Sequence, residues 1–391
     1  MMKKVLSILL SALMIFGCCA FAFAEDAAPA DKTLKFNEDG TFKILMINDT
    51  QDVGKGGDSR MTNFLKAAVD SEKPDLVVFV GDQLSDVYPG ANAADYKIAV
   101  DNILQPLEER NIPFIATLGN HDHDRASVMA EADMYKLYDA YSMNYSTENG
   151  PDPFTCNVEV KTSDGSKTAF NIYVIDSNNK VPGEGLGYAG INEEQLAWYN
   201  ETSAALKAAN GGEPVPSLNF QHVPVKEIYN LLKECDWNTK GAIYSRRDSK
   251  WYTLDESKAS GHLGEAPCSE NFDRITGQYE AWLANGDIMG AFFAHDHVNN
   301  FMGTTDDGIV LGYNGGSSFR SYGIAGDRSV RIFELNEDDV TGYTTRLVTY
   351  NELMDPDVNF VLGDLMTHAI LNYVMKVVYA LFGWAIKLFK K

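Results

Sequence analysis

The sequence predicts an α/β protein built on a largely parallel sheet, and three observations carry that expectation. Short apolar runs alternate with amphipathic stretches from Lys43 onward. Three of those runs end directly on Asp49, Asp82 and Asn120. The last part of the chain reads as consecutive strands.

The elements follow in order. KILMIND is a strand ending at Asp49, Arg60 to Val69 a helix, DLVVFVGD a strand ending at Asp82, Ala94 to Leu107 a helix, and PFIATLGNHD a strand that runs into a turn. Further strands are expected at Ala169 to Asp176, Ser217 to His222 and Ile288 to His295, with helices at Glu193 to Ala208, Val225 to Lys233 and Glu270 to Asn285. Gly308 to Tyr313, Ser329 to Leu335 and Tyr343 to Thr349 are the late strands. Glu234 to Gly264 is polar and weakly periodic, which predicts a long loop or insertion near the site rather than a second domain.

The N-terminus has the pattern of an export signal. Lys3 and Lys4 precede the apolar run Val5 to Phe23, and Ala22-Phe23-Ala24 is an A-x-A site, so cleavage after Ala24 and a location outside the cytoplasm are expected. Gly17-Cys18 offers a lipoprotein alternative, which Phe16 fits poorly. Residues 25–42 are rich in Ala, Asp and Pro and read as a flexible linker, with the folded domain at 43–350. Cleavage would leave Cys156, Cys235 and Cys268, which lack a close ligand spacing, so neither a zinc–thiolate site nor a disulfide is assigned. A formal charge of −22 over 391 residues argues against nucleic acid as a partner, because phosphate backbones are held by Lys and Arg. A small phosphorylated molecule is easier to accommodate.

The C-terminal segment, 360–391, reads as an amphipathic helix. His368, Asn372, Lys376, Tyr379, Gly383, Lys387 and Lys390 fall at spacings of three and four, forming a narrow polar stripe on an otherwise apolar helix. Such a helix suits a membrane interface. A spanning helix would put Lys376 near the bilayer centre, at about 2.5 to 3.5 kcal/mol. Docking on the protein itself is the third arrangement.

The chemistry lies at the strand ends. In open α/β sheets ligands gather at the carboxyl ends of strands, so Asp49, Asp82 and Asn120 can converge although distant in sequence. His222 follows SLNFQ, while His295 and His297 follow DIMGAFFA and project to one side by strand periodicity. Carboxylate and imidazole together suit Zn, Fe, Mn or Co better than Ca. Each motif alone is more often a turn or a core histidine. Five in fixed order, each directly after an apolar run, are hard to attribute to chance.

D-x-(H), G-D, G-N-H-D, a strand-borne His and (G)H-x-H in this order resemble the calcineurin-like metallophosphoesterase superfamily, across Lys43 to Leu347. GLGYAGINEEQLAWYNETS, FQHVPV, AHDHVNNF and GYNGGSSFRSYG are similar to the branch of plant purple-acid-phosphatase-like proteins and a yeast cell-cycle phosphatase. The resemblance implies a four-layer α/β/β/α sandwich with the late strands in its second sheet. It also implies two divalent or trivalent ions (Mn, Fe or Zn), one held by Asp49 and His297, the other by Asn120, His222 and His295, with Asp82 bridging. His121 would protonate the departing oxygen of a small phosphoester, with Asp122 orienting its ring.

Two positions depart from the family pattern: Gln51 replaces the histidine of D-x-H, and Ala294 the glycine before H-x-H. An amide oxygen is a weaker ligand than imidazole and favours a harder ion such as Mn²⁺. Asp49-Thr50-Gln51 is similar to the motif of manganese-dependent ADP-ribose and CDP-alcohol diphosphatases, which keeps a nucleotide or nucleotide-sugar diphosphatase open beside a mono- or diesterase. A non-catalytic binding protein on the same fold is the remaining alternative. Arg320, in the Gly- and Ser-rich NGGSSFRSYG, is the candidate substrate contact, ahead of Arg125, Arg246, Arg247 and His262.

Overall fold

Strand periodicity decides the layering. In the computed structural model, which describes residues 32–54, 57–85, 92–124, 126–183, 187–359 and 369–389, a five-stranded sheet takes its parallel centre from β2 (Thr41–Ile47), β3 (Leu76–Val80) and β4 (Phe114–Thr117). Leu45, Ile47, Val77 and Phe79 face α1 (Ser59–Glu72) and α2 (Ala93–Glu108). Their neighbours Ile44, Met46, Leu76, Val78 and Val80 point the other way, into a core shared with a second sheet.

That second sheet has eight strands, centred on β6 (Thr168–Val174), β7 (Ser217–Phe220), β12 (Ile288–Phe293) and β14 (Val310–Tyr313), parallel to one another. Phe220 and Phe292 meet Phe333 of the first sheet at ring-centroid distances of 5.4 and 4.5 Å, which ties the sheets face to face. The outer face of the second sheet packs Tyr173, Ala291 and Phe293 against α5 (Glu193–Ala209) and α6 (Gln278–Asn285). Three cores separate four layers: helix, sheet, sheet, helix. The expected sandwich is present.

Several elements differ from the sequence expectation, each for a tertiary reason. The late strands β15 (Ser329–Asn336) and β16 (Asp339–Thr349) join the first sheet, where β15 pairs antiparallel with β2; of the three late strands only β14 joins the second. Helix at Val225 to Lys233 is a 3₁₀ turn, Lys226–Leu231, followed by the short strand β8 (Leu232–Glu234). The segment from Glu270 stays non-helical until Gly277, because its backbone bonds distant carbonyls (Glu270 N to Pro224 O, 3.0 Å; Asn271 N to Tyr188 O, 2.9 Å), and these override local propensity. The polar insertion is ordered as a three-stranded sheet of β8, β9 (Ile243–Ser245) and β10 (Lys250–Leu254). Sequence reading missed β5 (Cys156–Lys161) altogether.

The folded part also begins earlier than Lys43. Within the expected linker, β1 (Leu34–Lys35) pairs with Val160 and Lys161, and Phe36 and Phe42 are buried against each other. The anticipated signal peptide lies outside the described residues. Cys156, Cys235 and Cys268 are unpaired.

The last helix, α8 (Ala369–Phe389), docks through two residues of the expected polar stripe. Asn372 is buried, its Oδ1 accepts the Tyr244 amide at 2.9 Å, and Tyr379 packs on Trp251 at 5.4 Å. The apolar side faces outward: Tyr373 is 71% exposed, Leu381 61% and Phe382 56%. No described helix is long and apolar enough to cross a membrane.

Candidate metal centre

Register brings the three first-half residues together. Ile47, Phe79 and Ala116 stand side by side in the first sheet, so the residues after each strand emerge at one edge. The chain then bends sharply to aim the side chains inward: Asp49, Gln51, Asp82 and His295 all take positive φ, at 49°, 40°, 51° and 75°. Two glycines make room. A Cβ on Gly119 would fall 2.3 Å from Asp82 Oδ1, and one on Gly81 2.6 Å from His222 Nδ1.

The second sheet supplies its residues in the same way. Phe220 pairs with Phe292, and the Ala294 amide donates to the His222 carbonyl at 3.0 Å, so His222 and His295 leave neighbouring strand ends. Ala294 is fully buried and lacks positive φ, which explains why alanine is accommodated there. Asn48 and Asn314 stitch the two edges by exchanging side-chain bonds, the Asn314 Nδ2 donating to Asn48 Oδ1 at 2.6 Å and the Asn48 Nδ2 to the Asn314 carbonyl at 3.1 Å.

Two ligand groups result, and Asp82 belongs to both. Asp82, His222 and His295 offer ligand atoms within 4.8 Å of one another, as do Asp49, Asp82 and His297. Asp49 Oδ1, Asn120 Oδ1, His222 Nε2 and His295 Nδ1 are buried without a hydrogen-bond partner. Such unpartnered polar atoms are costly in a protein interior unless a cation takes them up. Asp49 and His222 meet opposing groups only at ion-pair distance, 3.0 Å to His297 Nε2 and 3.2 Å to Asp82 Oδ2. The donor set therefore fits two metal ions of the transition series.

Tautomers are set by backbone carbonyls. The His222 Nδ1 donates to Val80 O at 2.9 Å and His297 Nδ1 to Tyr322 O at 3.0 Å, which leaves both Nε2 atoms directed at the site. Tyr322 also stacks on His297 at 4.2 Å and donates its hydroxyl to Glu265 at 2.9 Å. Burial disfavours charge on His222, but Asp82 prevails and holds its pKa at about 10. A cation reaching that Nε2 must displace a proton. Burial and the neighbouring His222 charge push His295 down to about 3, keeping it neutral. Asp82 is held well below the usual carboxylate range, burial being outweighed by the surrounding histidines.

Gln51 sits where the family pattern has histidine, with Nε2 3.3 Å from both Asp82 Oδ2 and His297 Nε2. A half-turn of the amide presents Oε1 to the same point.

Asp122 does not orient His121. Its carboxylate is buried and accepts two backbone amides, Leu84 N at 2.8 Å and Gly119 N at 2.9 Å, which fixes the loop that presents Asn120. Burial and the charge of Asp82 raise it to about 7. The ring partner of His121 is Asp124, 2.9 Å from Nδ1, and Asn179 braces both Asp124 and the Asn120 carbonyl at 3.1 Å. Asp122→Asn, which replaces one of these acceptors with an amide, is expected to lower unfolding free energy by about 1–3 kcal/mol in urea denaturation. A drop in turnover at unchanged stability would instead return Asp122 to the role beside His121.

Arg320 is also placed differently from its expectation. It is exposed and donates to Gly57 O at 3.3 Å, while its loop contributes Gly316 and Tyr322 to the His297 side. Arg125 lies outside the described residues. Asp52 accepts the Val53 and Gly54 amides and the Asn102 side chain, and His123 pairs with Asp176 at 2.9 Å, so both are tied up structurally. Tyr322, Asp124 and Asn179 carried no sequence signal, because each acts through a fold-dependent contact.

The profile of the calcineurin-like phosphoesterase family matches residues 42–299. The chain is 30% identical over 368 residues to "Probable inactive purple acid phosphatase 14" of Arabidopsis thaliana, covering 85% of this chain and 84% of that protein. It is 28% identical over 335 residues to "Probable inactive purple acid phosphatase 28" of the same plant, covering 74% of each. "Phosphatase DCR2" of Saccharomyces cerevisiae is 23% identical over 341 residues, covering 78% of this chain and 53% of that protein.

Proposed function

Because the chain belongs to the calcineurin-like phosphoesterase family, we propose that it is an exported phosphoesterase that uses two metal ions (Mn, Fe or Zn) to hydrolyse phosphate mono- or diesters. The observation that carries this reading is the set of four orphaned donor atoms on Asp49, Asn120, His222 and His295, gathered from both sheets around Asp82. Asp49 and His297, with the Gln51 amide oxygen, would hold one ion. Asn120, His222 and His295 would hold the other, and Asp82 would bridge. When bound, the pair supplies positive charge that lowers the pKa of water and offsets the phosphate oxygens.

The chain's own residues do the rest. Water adds to phosphorus as the bond to the leaving oxygen breaks, and His121, held by Asp124, delivers the proton that oxygen needs. Products are phosphate, or a monoester, and an alcohol. The direct test is release of p-nitrophenol from p-nitrophenyl phosphate and its bis ester with Mn²⁺, Zn²⁺ or Fe²⁺ added to chelator-treated protein. Metal-dependent turnover of either ester is expected; none with any metal would sink the reading.

The Arabidopsis relatives are named as probably inactive, which favours a binding protein as the second reading. A ligand set retained at every position except Gln51 weighs against it. Asp49-Thr50-Gln51 keeps the diphosphatase alternative, tested with ADP-ribose and CDP-choline in Mn²⁺; inactivity on both removes it.

We propose that the protein lies at a membrane surface through α8. A helix that seats Asn372 on β9 and turns Tyr373, Val374, Val377, Leu381 and Phe382 outward is arranged to lie in a lipid interface. Full-length protein is expected to co-sediment with phosphatidylglycerol-containing vesicles, and Leu381→Glu with Phe382→Glu to stay in the supernatant. Equal sedimentation of both would rule the arrangement out.

A further inference from the structure

Beside the metal centre a cleft of about 120 Å³, partly open to solvent, runs from His295 and Tyr322 to the ordered insertion. Its position identifies the side of the reaction it serves. Asp124, which holds His121, is braced by Asn179, and the next residue, Lys180, lines the cleft. The group that protonates the departing oxygen is therefore tied to the cleft wall. Lys180 Nζ lies 5.0 Å over the Tyr188 ring, whose own ring stands 4.7 Å from His295.

The lining is cationic in a chain whose formal charge is −22. Lys180, Arg246 and Arg247 come from two separate segments and meet around Cys268. Arg247 is committed to structure: it donates to Ser269 and to the Glu270 carbonyl and stacks 4.7 Å over Phe272. Arg246 is exposed, with no ion pair or hydrogen bond among the described residues, so its planar fork is available to an incoming anion. Two carboxylates line the same cleft, Glu265 accepting from the Tyr322 hydroxyl and Asp296 from the Cys268 amide, against three basic side chains.

We propose that this cleft is a leaving-group subsite, and that Arg246 and Lys180 select phosphoesters whose leaving group carries a second phosphate. The subsite rests on the phosphoesterase reading above. Hydrolysis there breaks the bond from phosphorus to the leaving oxygen, releases inorganic phosphate, and leaves the second phosphate on the departing alcohol, which accepts a proton. Arg246 and Lys180 hold the remote phosphate, while the reacting one would face the side chains that would hold the metal ions.

The test uses a matched pair differing by one phosphate, glucose 1,6-bisphosphate and glucose 6-phosphate, with full-length Mn²⁺-loaded protein. The bisphosphate is expected to have a kcat/KM about tenfold or more above the monophosphate, the size of one charge-assisted bond, with the advantage shrinking as NaCl rises. Arg246→Gln and Lys180→Gln should pull the ratio toward one, and Arg246→Lys should restore part of it. A ratio unchanged by both neutral variants overturns the subsite. If neither sugar is hydrolysed, titration calorimetry with the bisphosphate separates the two claims. Weaker binding in Arg246→Gln then upholds the subsite while hydrolysis falls, and equal binding overturns the subsite as well.

Discussion

Replacing Asp82 by Asn is expected to empty both metal positions together and to cut kcat by at least about a thousandfold. Asp82 is the one residue shared by the two ligand groups, it is almost fully buried, and Oδ2 already lies 3.2 Å from His222 Nε2. An amide cannot present two anionic oxygens to two cations. Elemental analysis of purified wild type and variant checks the claim. Stoichiometric metal in Asp82→Asn would remove Asp82 from the bridging position. Retained metal with lost turnover would limit it to a role in catalysis alone.

His121→Gln should cost about a hundredfold to ten-thousandfold in kcat on an ester with a poor leaving group, and much less on p-nitrophenyl phosphate, whose leaving oxygen needs little help. The pH dependence identifies the partner. A carboxylate beside an imidazole favours the charged ring, so removing it in Asp124→Asn lowers the ring's pKa and the protonated acid is lost sooner as pH rises. The alkaline limb of the pH–rate profile should therefore move to lower pH. An unmoved limb would show that the 2.9 Å Asp124 contact does not act on the proton that is transferred.

Much of the site was legible because it is written at strand ends. Asp49, Asp82, Asn120, His222, His295 and His297 each follow an apolar run directly, so the strand pattern placed them at one edge without any knowledge of the packing. The supporting shell was not legible. Tyr322 reaches His297 from 25 residues away by stacking and through a carbonyl, and Asp124 was overlooked for Asp122 because sequence adjacency does not say which carboxylate faces inward. The same limit explains the fold. β15 reads as a strand from its apolar alternation, but which sheet it joins depends on its pairing with β2, a long-range choice that periodicity does not encode. Likewise the helix starting at Glu270 in sequence terms gives way to backbone bonds with Pro224 and Tyr188, partners invisible to a local window.

The four left-handed residues at the centre also constrain how this protein can change. Asp49, Gln51, Asp82 and His295 each hold a conformation that glycine would adopt without strain, yet glycine would forfeit the side chain. Ordinary routes to a sturdier protein, which relax unfavourable backbone, are closed at these positions. Stabilising substitutions have to accumulate elsewhere, in the three cores and on the outer helices, while the bends at the seam of the two sheets persist as a fixed debt carried by every functional descendant of the chain.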